Sequence, residues 1–194
     1  FDLVNDSSGD MWIAGINSEF VRYIPTEKRY QKYDPLFLNV LTQYSDSVML
    51  LGSLYGLMKL NKLTGEYTTL VDKVIVSDIL VLDGKVWIGT SGEGLVVYDP
   101  NNQQTEKYTT QQGLPSNYIG SVSYAAGFLW LGTENGLCRF DVDHKSVSIY
   151  SSIFPLANSS FNNGASINLR DERLAMGTNN GVVVFNPRTI HQEH

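Results

Sequence analysis

The sequence predicts an all-β protein, a β-propeller with about five four-stranded antiparallel blades. One motif recurs five times at intervals of about 40 residues, and each copy divides into four short apolar runs bounded by Gly, Asn, Asp or Pro. No run keeps a helical period of 3.6 residues over about eleven residues or more, so helices should be scarce. Four short strands per repeat at this interval are typical of propeller blades.

The recurring motif is an apolar stretch that ends at a glycine. Its copies are DMWIAG (10–15), SVMLLGS (47–53), KVWIGT (85–90), FLWLGT (128–133) and RLAMGT (173–178). The anchoring glycines are Gly15, Gly52, Gly89, Gly132 and Gly177, with spacings of 37, 37, 43 and 45 residues. We therefore predict blades at about 1–34, 35–71, 72–109, 110–151 and 152–190, followed by a tail at 191–194.

Each blade is expected to have the same order of strands. An apolar first strand such as 119–124 leads into the motif strand, and a glycine turn leads to a third strand such as GLCRFD (136–141). A fourth strand such as SVSIY (146–150) completes the sheet. In the turn, Asn-Gly supplies the positive φ of a tight hairpin. A phosphate-binding loop would need a helix after the glycine, whereas a strand follows here.

Three tryptophans share one position of the repeat. They are Trp12, Trp87 and Trp130, and Met49 and Ala175 are expected at this position in the other two copies. A large residue that recurs once per blade predicts packing between blades. The single cysteine, Cys138, lies in a predicted strand and is expected to be a buried thiol.

The last repeat is shorter than the others. Its fourth-strand residue would fall at position 195, so the fifth blade is expected to lack its outer strand. We favour consecutive blades of a larger ring of the seven-bladed type over a closed five-bladed ring. Open edges would favour association, including a homodimer. The chain begins inside a strand without a Met or a signal sequence, which suggests a mature protein or a piece of a longer one.

Composition disfavours several classes of function. The net charge is −6 and no Lys/Arg cluster is present, so nucleic acid is not an expected partner. No apolar run is long enough for a membrane helix, and no membrane contact is expected of this segment. His191 and His194 lack a third ligand, so neither a metal nor another cofactor is predicted. Asp10, Asp46, Asp83 and Asp171 recur at one turn and indicate turn formers, and no catalytic residue is predicted.

Three motifs resemble a known family. GLPSN (113–117), LWLGTENGLCRFD (129–141) and VWIGTSGEGLVVYDP (86–100) are similar to the two-component regulator propeller repeat. The resemblance implies a periplasmic sensor region of a bacterial hybrid two-component receptor, the extracytoplasmic part of an inner-membrane protein, often linked to polysaccharide use. It also implies neighbouring propeller blades and a C-terminal immunoglobulin-like domain in the parent chain. The matching residues belong to the scaffold, so no ligand-binding residue can be transferred from the family.

A candidate binding site follows from strand direction. In antiparallel blades the connection into a blade and the hairpin between its second and third strands lie on the same rim. Two of these connections are long, at 109–118 and 151–164, and long loops on a rigid scaffold commonly bind ligands. Amide and aromatic side chains there suit an oligosaccharide, although Asn also simply fills turns. The candidates are Tyr55, Glu93, Asn117, Tyr118, Glu134, Asn135, Phe161, Asn162, Asn163 and Asn179, with Phe154 and Asn158 in the same loops.

Two other functions stay open at this stage. A general protein–protein interaction propeller is one, although the GH and WD dipeptides of WD-repeat scaffolds are absent. A propeller carbohydrate-active enzyme is the other. A glycosidase needs two carboxylates at a set separation, which sequence alone does not reveal.

Overall fold

The computed structural model describes residues 2–15, 19–34, 36–150 and 159–190. Within these ranges it contains nineteen strands and a single-turn 3-10 helix at Thr110–Gln112. The strands are β1 Asp2–Asn5, β2 Met11–Ala14, β3 Phe20–Ile24, β4 Arg29–Tyr33, β5 Leu38–Ser45, β6 Val48–Ser53, β7 Gly56–Asn61, β8 Tyr67–Asp72, β9 Val76–Leu82, β10 Lys85–Thr90, β11 Leu95–Asp99, β12 Gln104–Tyr108, β13 Ile119–Ala125, β14 Phe128–Thr133, β15 Gly136–Asp141, β16 Ser146–Ile149, β17 Phe161–Asn168, β18 Leu174–Thr178 and β19 Gly181–Phe185.

The strands form five antiparallel sheets in chain order, which confirms the predicted propeller fold. Strands β1–β4, β5–β8, β9–β12 and β13–β16 each form a four-stranded blade in which sequential strands pair. The fifth blade contains β17, β18 and β19. The tail at 191–194, where a fourth strand would begin, lies outside the described residues.

The hydrophobic core is divided among the seams between blades. Four clusters of buried side chains join blade 1 to blade 2, 2 to 3, 3 to 4 and 4 to 5. The second strands of blades 2, 3 and 4 contribute alternate residues to the seams on their two sides, as a period of two requires. Among the described residues, no such cluster joins blade 5 to blade 1.

The tryptophans pack in three of these four seams, as predicted. Trp12, Trp87 and Trp130 are buried, and each packs in the seam towards the following blade. The position assigned to Met49 was wrong. Met49 points back to blade 1, whereas Leu50 lies at the tryptophan position and faces blade 3.

The alignment of blade 1 explains that error. Ala14 pairs with Phe20 just as Gly52, Gly89, Gly132 and Gly177 pair with the first apolar residue of the third strand. The anchor of blade 1 is therefore Ala14, and Gly15 follows it. Trp12 lies three residues before Gly15, and the residue three before Gly52 is Met49. Counted from Ala14 the offset is two residues, which gives Leu50.

The anchoring glycine is required by the neighbouring blade. A Cβ on Gly132 would lie 2.7 Å from the Phe161 side chain at the start of the next inner strand and 2.5 Å from Ser121 Oγ. Hydrogen at this position lets the innermost strand of the next blade approach the sheet. The same approach occurs at Gly52, where a Cβ would lie 2.5 Å from Val76 of blade 3.

The hydroxyl after the anchor closes the hairpin. Thr133 Oγ1 donates to the carbonyl of Gly136 at 2.7 Å and accepts the N–H of Asn135 at 3.1 Å. Ser53, Thr90 and Thr178 make the corresponding bonds in blades 2, 3 and 5. Gly136 has φ +98°, whereas the φ of Asn135 is not positive, so the glycine alone supplies the left-handed conformation. The predicted hairpin is confirmed, with a hydroxyl clamp that was not anticipated.

Polar side chains hold adjacent inner strands together. Asp78 of β9 accepts the N–H of Val122 in the next blade at 2.7 Å, and Asp2 of β1 accepts that of Leu41 at 2.7 Å. Asn39 donates to the carbonyl of Val76 at 2.8 Å. Burial raises the pKa of Asp78 to about 7, even though two backbone N–H groups favour its ionised form.

A buried ionic network joins blades 1 and 2 at the rim opposite the long loops. The Lys62 ammonium lies 2.9 Å from Asp6, and the two side chains are 3% and 0% exposed. Asp6 also accepts the indole N–H of Trp12 at 2.9 Å and the backbone N–H groups of Ser8 and Asp10. Burial alone would raise the pKa of Asp6, but the bonds from Trp12 and Lys62 outweigh burial and lower it.

Asp10 differs from its prediction as a turn former. Its carboxylate accepts a hydrogen bond from Arg22 Nε at 2.7 Å, and the guanidinium carbon of Arg22 lies 5.1 Å from the centre of the Trp12 ring. Asp6 forms the turn instead. Asp171, by contrast, accepts the N–H of Arg173 at 3.3 Å within its turn, as expected.

Candidate functional site

The long connection into blade 4 is a compact, hydrogen-bonded loop. Thr109 caps the 3-10 helix in a reciprocal arrangement with Gln112, and Gly113 ends it with φ +95°. Leu114 is buried in the seam between blades 3 and 4. The Ser116 hydroxyl accepts the N–H of Tyr118 at 2.9 Å and donates to Glu134 at 3.2 Å. The GLPSN motif is therefore a structural element that fixes the rim.

Asn117 connects this loop to the preceding blade. Its side-chain oxygen accepts the N–H of Thr110 at 2.8 Å, and its carbonyl accepts the N–H groups of Gly92 and Gly94 at 3.1 and 2.9 Å. On the other side, the side-chain amide of Asn135 donates to the carbonyl of Pro115 at 3.1 Å. The loop thus contacts the hairpins of blades 3 and 4 on one rim, as strand direction predicts.

The connection into blade 5 is described only from residue 159. Asn179 accepts the N–H of Ser160 at 3.2 Å, and its own N–H donates to the carbonyl of Ser160 at 2.9 Å. Asn162 donates to the carbonyl of Thr178 at 3.1 Å. Phe154 and Asn158 lie outside the described residues.

Four of the ten candidate residues line one small cleft. Tyr118, Glu134, Phe161 and Asn163 surround a volume of about 160 Å³ on the rim between blades 4 and 5. Ser91 and Ser160 also contribute to its wall. The Tyr118 side chain is 51% exposed, and Phe161 is buried at the base. The cleft offers an exposed aromatic ring, a carboxylate and an amide within one concave surface.

The other six candidates are separate from this cleft. The side chains of Asn117, Asn135, Asn162 and Asn179 bond to backbone groups of the rim, which is the turn-filling role that competed with ligand binding. Tyr55 lies on the hairpin of blade 2 and contacts Phe37 edge to face, with the ring centres 6.3 Å apart. Glu93 lies on the hairpin of blade 3, 2.7 Å from the Lys107 ammonium. Their role in ligand binding stays a prediction.

Sequence reasoning missed the residues that connect these side chains. Ser116 orients Glu134, and Ser91 forms an isolated antiparallel bridge with Tyr118. The serine of GLPSN was visible in the sequence, but it gave no sign of a carboxylate partner eighteen residues away.

In the described part of the chain, no three His, Cys, Asp or Glu side chains are grouped so that they could hold a metal ion. Cys138 is buried in a strand, as predicted, and burial raises the pKa of its thiol. No helix in the described ranges has the length and apolar character needed to cross a membrane.

Comparisons with known proteins agree with the resemblance seen in the repeats. No family model matches the chain. A curated relative, histidine kinase P4 of Formosa agariphila, is 30% identical over 103 residues, which are 52% of this chain and 7% of that protein. The chain therefore spans a small fraction of this relative's length.

Solved structures match nearly the whole chain. The extracellular domain of the hybrid two-component system BT3049 of B. thetaiotaomicron gives a TM-score of 0.78 at 18% identity, covering 99% of this chain and 28% of that one. That of BT4673 from the same organism gives 0.79 at 20% identity, covering 98% and 26%. Regucalcin of Agrobacterium tumefaciens, a calcium-binding protein, gives 0.68 at 16% identity, covering 98% and 72%. At these identities the matches show the fold alone, and the chain is thus a β-propeller segment similar to the extracellular domains of hybrid two-component systems.

Proposed function

We propose that this chain is a non-catalytic, extracytoplasmic sensor module of a hybrid two-component receptor, and that its rim cleft binds an oligosaccharide. The observation that carries the proposal is the cleft of Tyr118, Glu134, Phe161 and Asn163, held on a rigid rim between blades 4 and 5. The fold shared with extracellular domains of such receptors supports the class of protein and a periplasmic location.

The chemistry of the cleft suits a sugar. The exposed ring of Tyr118 offers an apolar face for stacking, while Glu134 and Asn163 offer acceptors and donors for hydroxyl groups. Hydrogen bonds between the Tyr118 carbonyl and the Glu134 N–H, and between Glu134 and Ser116, hold the cleft in place before a ligand arrives. Preorganisation of this kind lowers the entropic cost of binding. The volume of about 160 Å³ favours insertion of one ring of a longer chain.

The proposal also includes further blades on both sides of this segment. Ile167, Val182 and Val184 form an exposed apolar row on the face of blade 5 that corresponds to the tryptophan face of the other blades. In blade 1, Leu3 is exposed on the face directed away from blade 2. Because the equivalent faces are buried in each seam, neighbouring blades of a larger ring are the expected partners. A homodimer through the same faces is the alternative. Comparing the sedimentation of this chain with that of a longer ectodomain distinguishes these two possibilities.

Signalling would follow from a population shift. An oligosaccharide that contacts the loops of blades 3, 4 and 5 differently in two receptor states would favour one of them. The ligand can shift that equilibrium only by its difference in affinity for the two states.

Isothermal titration calorimetry against a panel of oligosaccharides tests the proposal. We expect saturable binding by the chain that is at least tenfold weaker in Tyr118→Ala and unchanged in Tyr30→Ala, a control that removes an exposed tyrosine from blade 1. Equal losses in both variants, or no heat across a broad panel with the intact ectodomain, would contradict oligosaccharide binding at this cleft.

A further inference from the structure

One seam of the propeller lacks the indole ring that fills the others. Trp12, Trp87 and Trp130 occupy the same repeat position in the seams from blade 1 to 2, from 3 to 4 and from 4 to 5. In the seam from blade 2 to 3 this position holds Leu50, whose side chain is buried. An isobutyl group is much smaller than an indole, so the surrounding residues must either close in or leave a gap.

The structure contains a gap at this place. A cavity of about 190 Å³ lies between Leu50 and Val48 of blade 2 and Val86 and Tyr98 of blade 3. An apolar cavity of about 150 Å³ inside a protein is large enough to bind benzene. The seam between blades 2 and 3 therefore has room for one aromatic ring, in the place where the other seams hold the ring of a tryptophan.

A lysine stands beside this gap. Lys59 of β7 pairs directly with Leu50 of β6 in the strand register, and its ammonium makes no ion pair with any described residue. In blade 1 the equivalent pair is Trp12 and Arg22, where the guanidinium carbon lies 5.1 Å from the centre of the indole ring. The repeat thus places a cation next to an aromatic ring in one blade, and next to an empty volume in the other.

The opening of the cavity is polar. Lys59, Gln103 and Tyr44 are exposed around it, whereas Leu50, Val86 and Tyr98 are buried at its inner end. An apolar interior with a cation at the opening matches a ligand that has a ring at one end and a negative charge at the other. The inner walls are aliphatic and aromatic side chains, which suit an aromatic ring better than a sugar ring with its many hydroxyl groups.

We propose that the seam between blades 2 and 3 binds a small aromatic carboxylate, with the ring in the space beside Leu50 and the carboxylate at Lys59. The site is separate from the rim cleft between blades 4 and 5, and it does not depend on oligosaccharide binding. Tyr98 contributes an aromatic wall, which favours ring contacts beyond simple burial. A ligand held here contacts two blades at once, so its binding stabilises their packing.

Fluorine NMR with 4-fluorobenzoate tests the site, and neutral fluorobenzene is the matched probe without charge. We expect saturable binding of both probes by the native chain. Leu50→Trp fills the gap with the residue used in the other seams and should weaken both at least tenfold. Lys59→Met should weaken 4-fluorobenzoate at least fivefold and leave fluorobenzene unchanged. Lys32→Met, which removes an exposed lysine from the outer strand of blade 1, should change neither.

The outcomes separate this proposal from weak surface binding. Binding of 4-fluorobenzoate that survives Leu50→Trp, or the absence of saturable binding in the native chain, overturns it. If Leu50→Trp does not fold, Val86→Phe narrows the same cavity from blade 3 and is expected to give the same loss. Equal effects of Lys59→Met and Lys32→Met would show that the carboxylate does not reach Lys59.

Discussion

Removal of the Lys62 side chain should destabilise the propeller far more than removal of a lysine from an exposed ion pair. Lys62 and Asp6 form a pair whose side chains are 3% and 0% exposed, 56 residues apart in sequence and in different blades. Breaking a buried pair by removing one partner costs about 3–5 kcal/mol, because the other charge stays buried. In Lys62→Met, Asp6 keeps three N–H donors, from Trp12, Ser8 and Asp10, so we expect about 3 kcal/mol.

Asp6→Ala should cost more, about 5 kcal/mol, since it leaves the ammonium, the Trp12 indole N–H and two backbone N–H groups without their acceptor. The double variant Asp6→Ala/Lys62→Met leaves no buried charge from the pair. Its cost should therefore be lower than the sum of the single costs by about 2 kcal/mol, which is within the range measured for contacting residues.

Urea unfolding followed by tryptophan fluorescence measures these differences, provided that the transitions have equal slopes. Lys107→Met is the control, because Lys107 and Glu93 are 2.7 Å apart but about half exposed, and such pairs contribute about 0–1 kcal/mol. The pKa of Asp6 is lowered, so the contribution of the pair is present above the ordinary Asp pKa of 3.8 and is lost as the pH falls through the folded value. The reasoning is refuted if Lys62→Met costs no more than Lys107→Met, or if the single costs add.

Three further changes probe other parts of the scaffold. Trp130→Ala, at a fully buried side chain in the seam between blades 4 and 5, should lower the free energy of unfolding by about 3–5 kcal/mol, and a loss under 1 kcal/mol in urea unfolding would contradict seam packing. Gly120→Ala places a Cβ 2.2 Å from the Phe161 carbonyl oxygen, so we expect a loss of about 1–3 kcal/mol, and a melting temperature equal to that of the native chain would exclude this close approach. The pKa of Asp78 is raised to about 7 in the folded chain, so in the unfolded chain this side chain ionises at a lower pH. The free energy of unfolding should therefore fall between about pH 4 and pH 7. An Asp78→Asn variant with the same pH dependence as the native chain would rule out Asp78 as the source of this fall.

The repeat made the fold predictable from sequence. Gly132 is required by the close approach of the next inner strand, and Gly136 is required by its positive φ. Because these constraints apply to each blade, glycine recurs at the same positions of the repeat. The assignment of Met49 went wrong where this local pattern weakens, because Ala14 takes the place of the anchoring glycine in blade 1. Only strand pairing shows which of two adjacent residues faces the next blade.

The candidate site was predictable in position but only partly in composition. Strand direction alone assigns the long loops and the hairpins to one rim. It does not say whether an Asn side chain faces solvent or closes a turn, and Asn117, Asn135, Asn162 and Asn179 all bond to backbone. The Asp6–Lys62 pair was also not foreseeable, because its partners are distant in sequence and neither belongs to the repeated motif.

The division of the core among the seams has a consequence for how such a protein can change in length. Each cluster contains residues of two consecutive blades, so the unit that packs cooperatively is the interface between two blades and not the single sequence repeat. Stability then becomes a sum over neighbouring pairs, as in a one-dimensional array. Duplication or deletion of a whole blade exchanges complete interfaces without cutting through any of them. A ring of this design can therefore gain or lose modules during evolution while each remaining junction keeps the same packing.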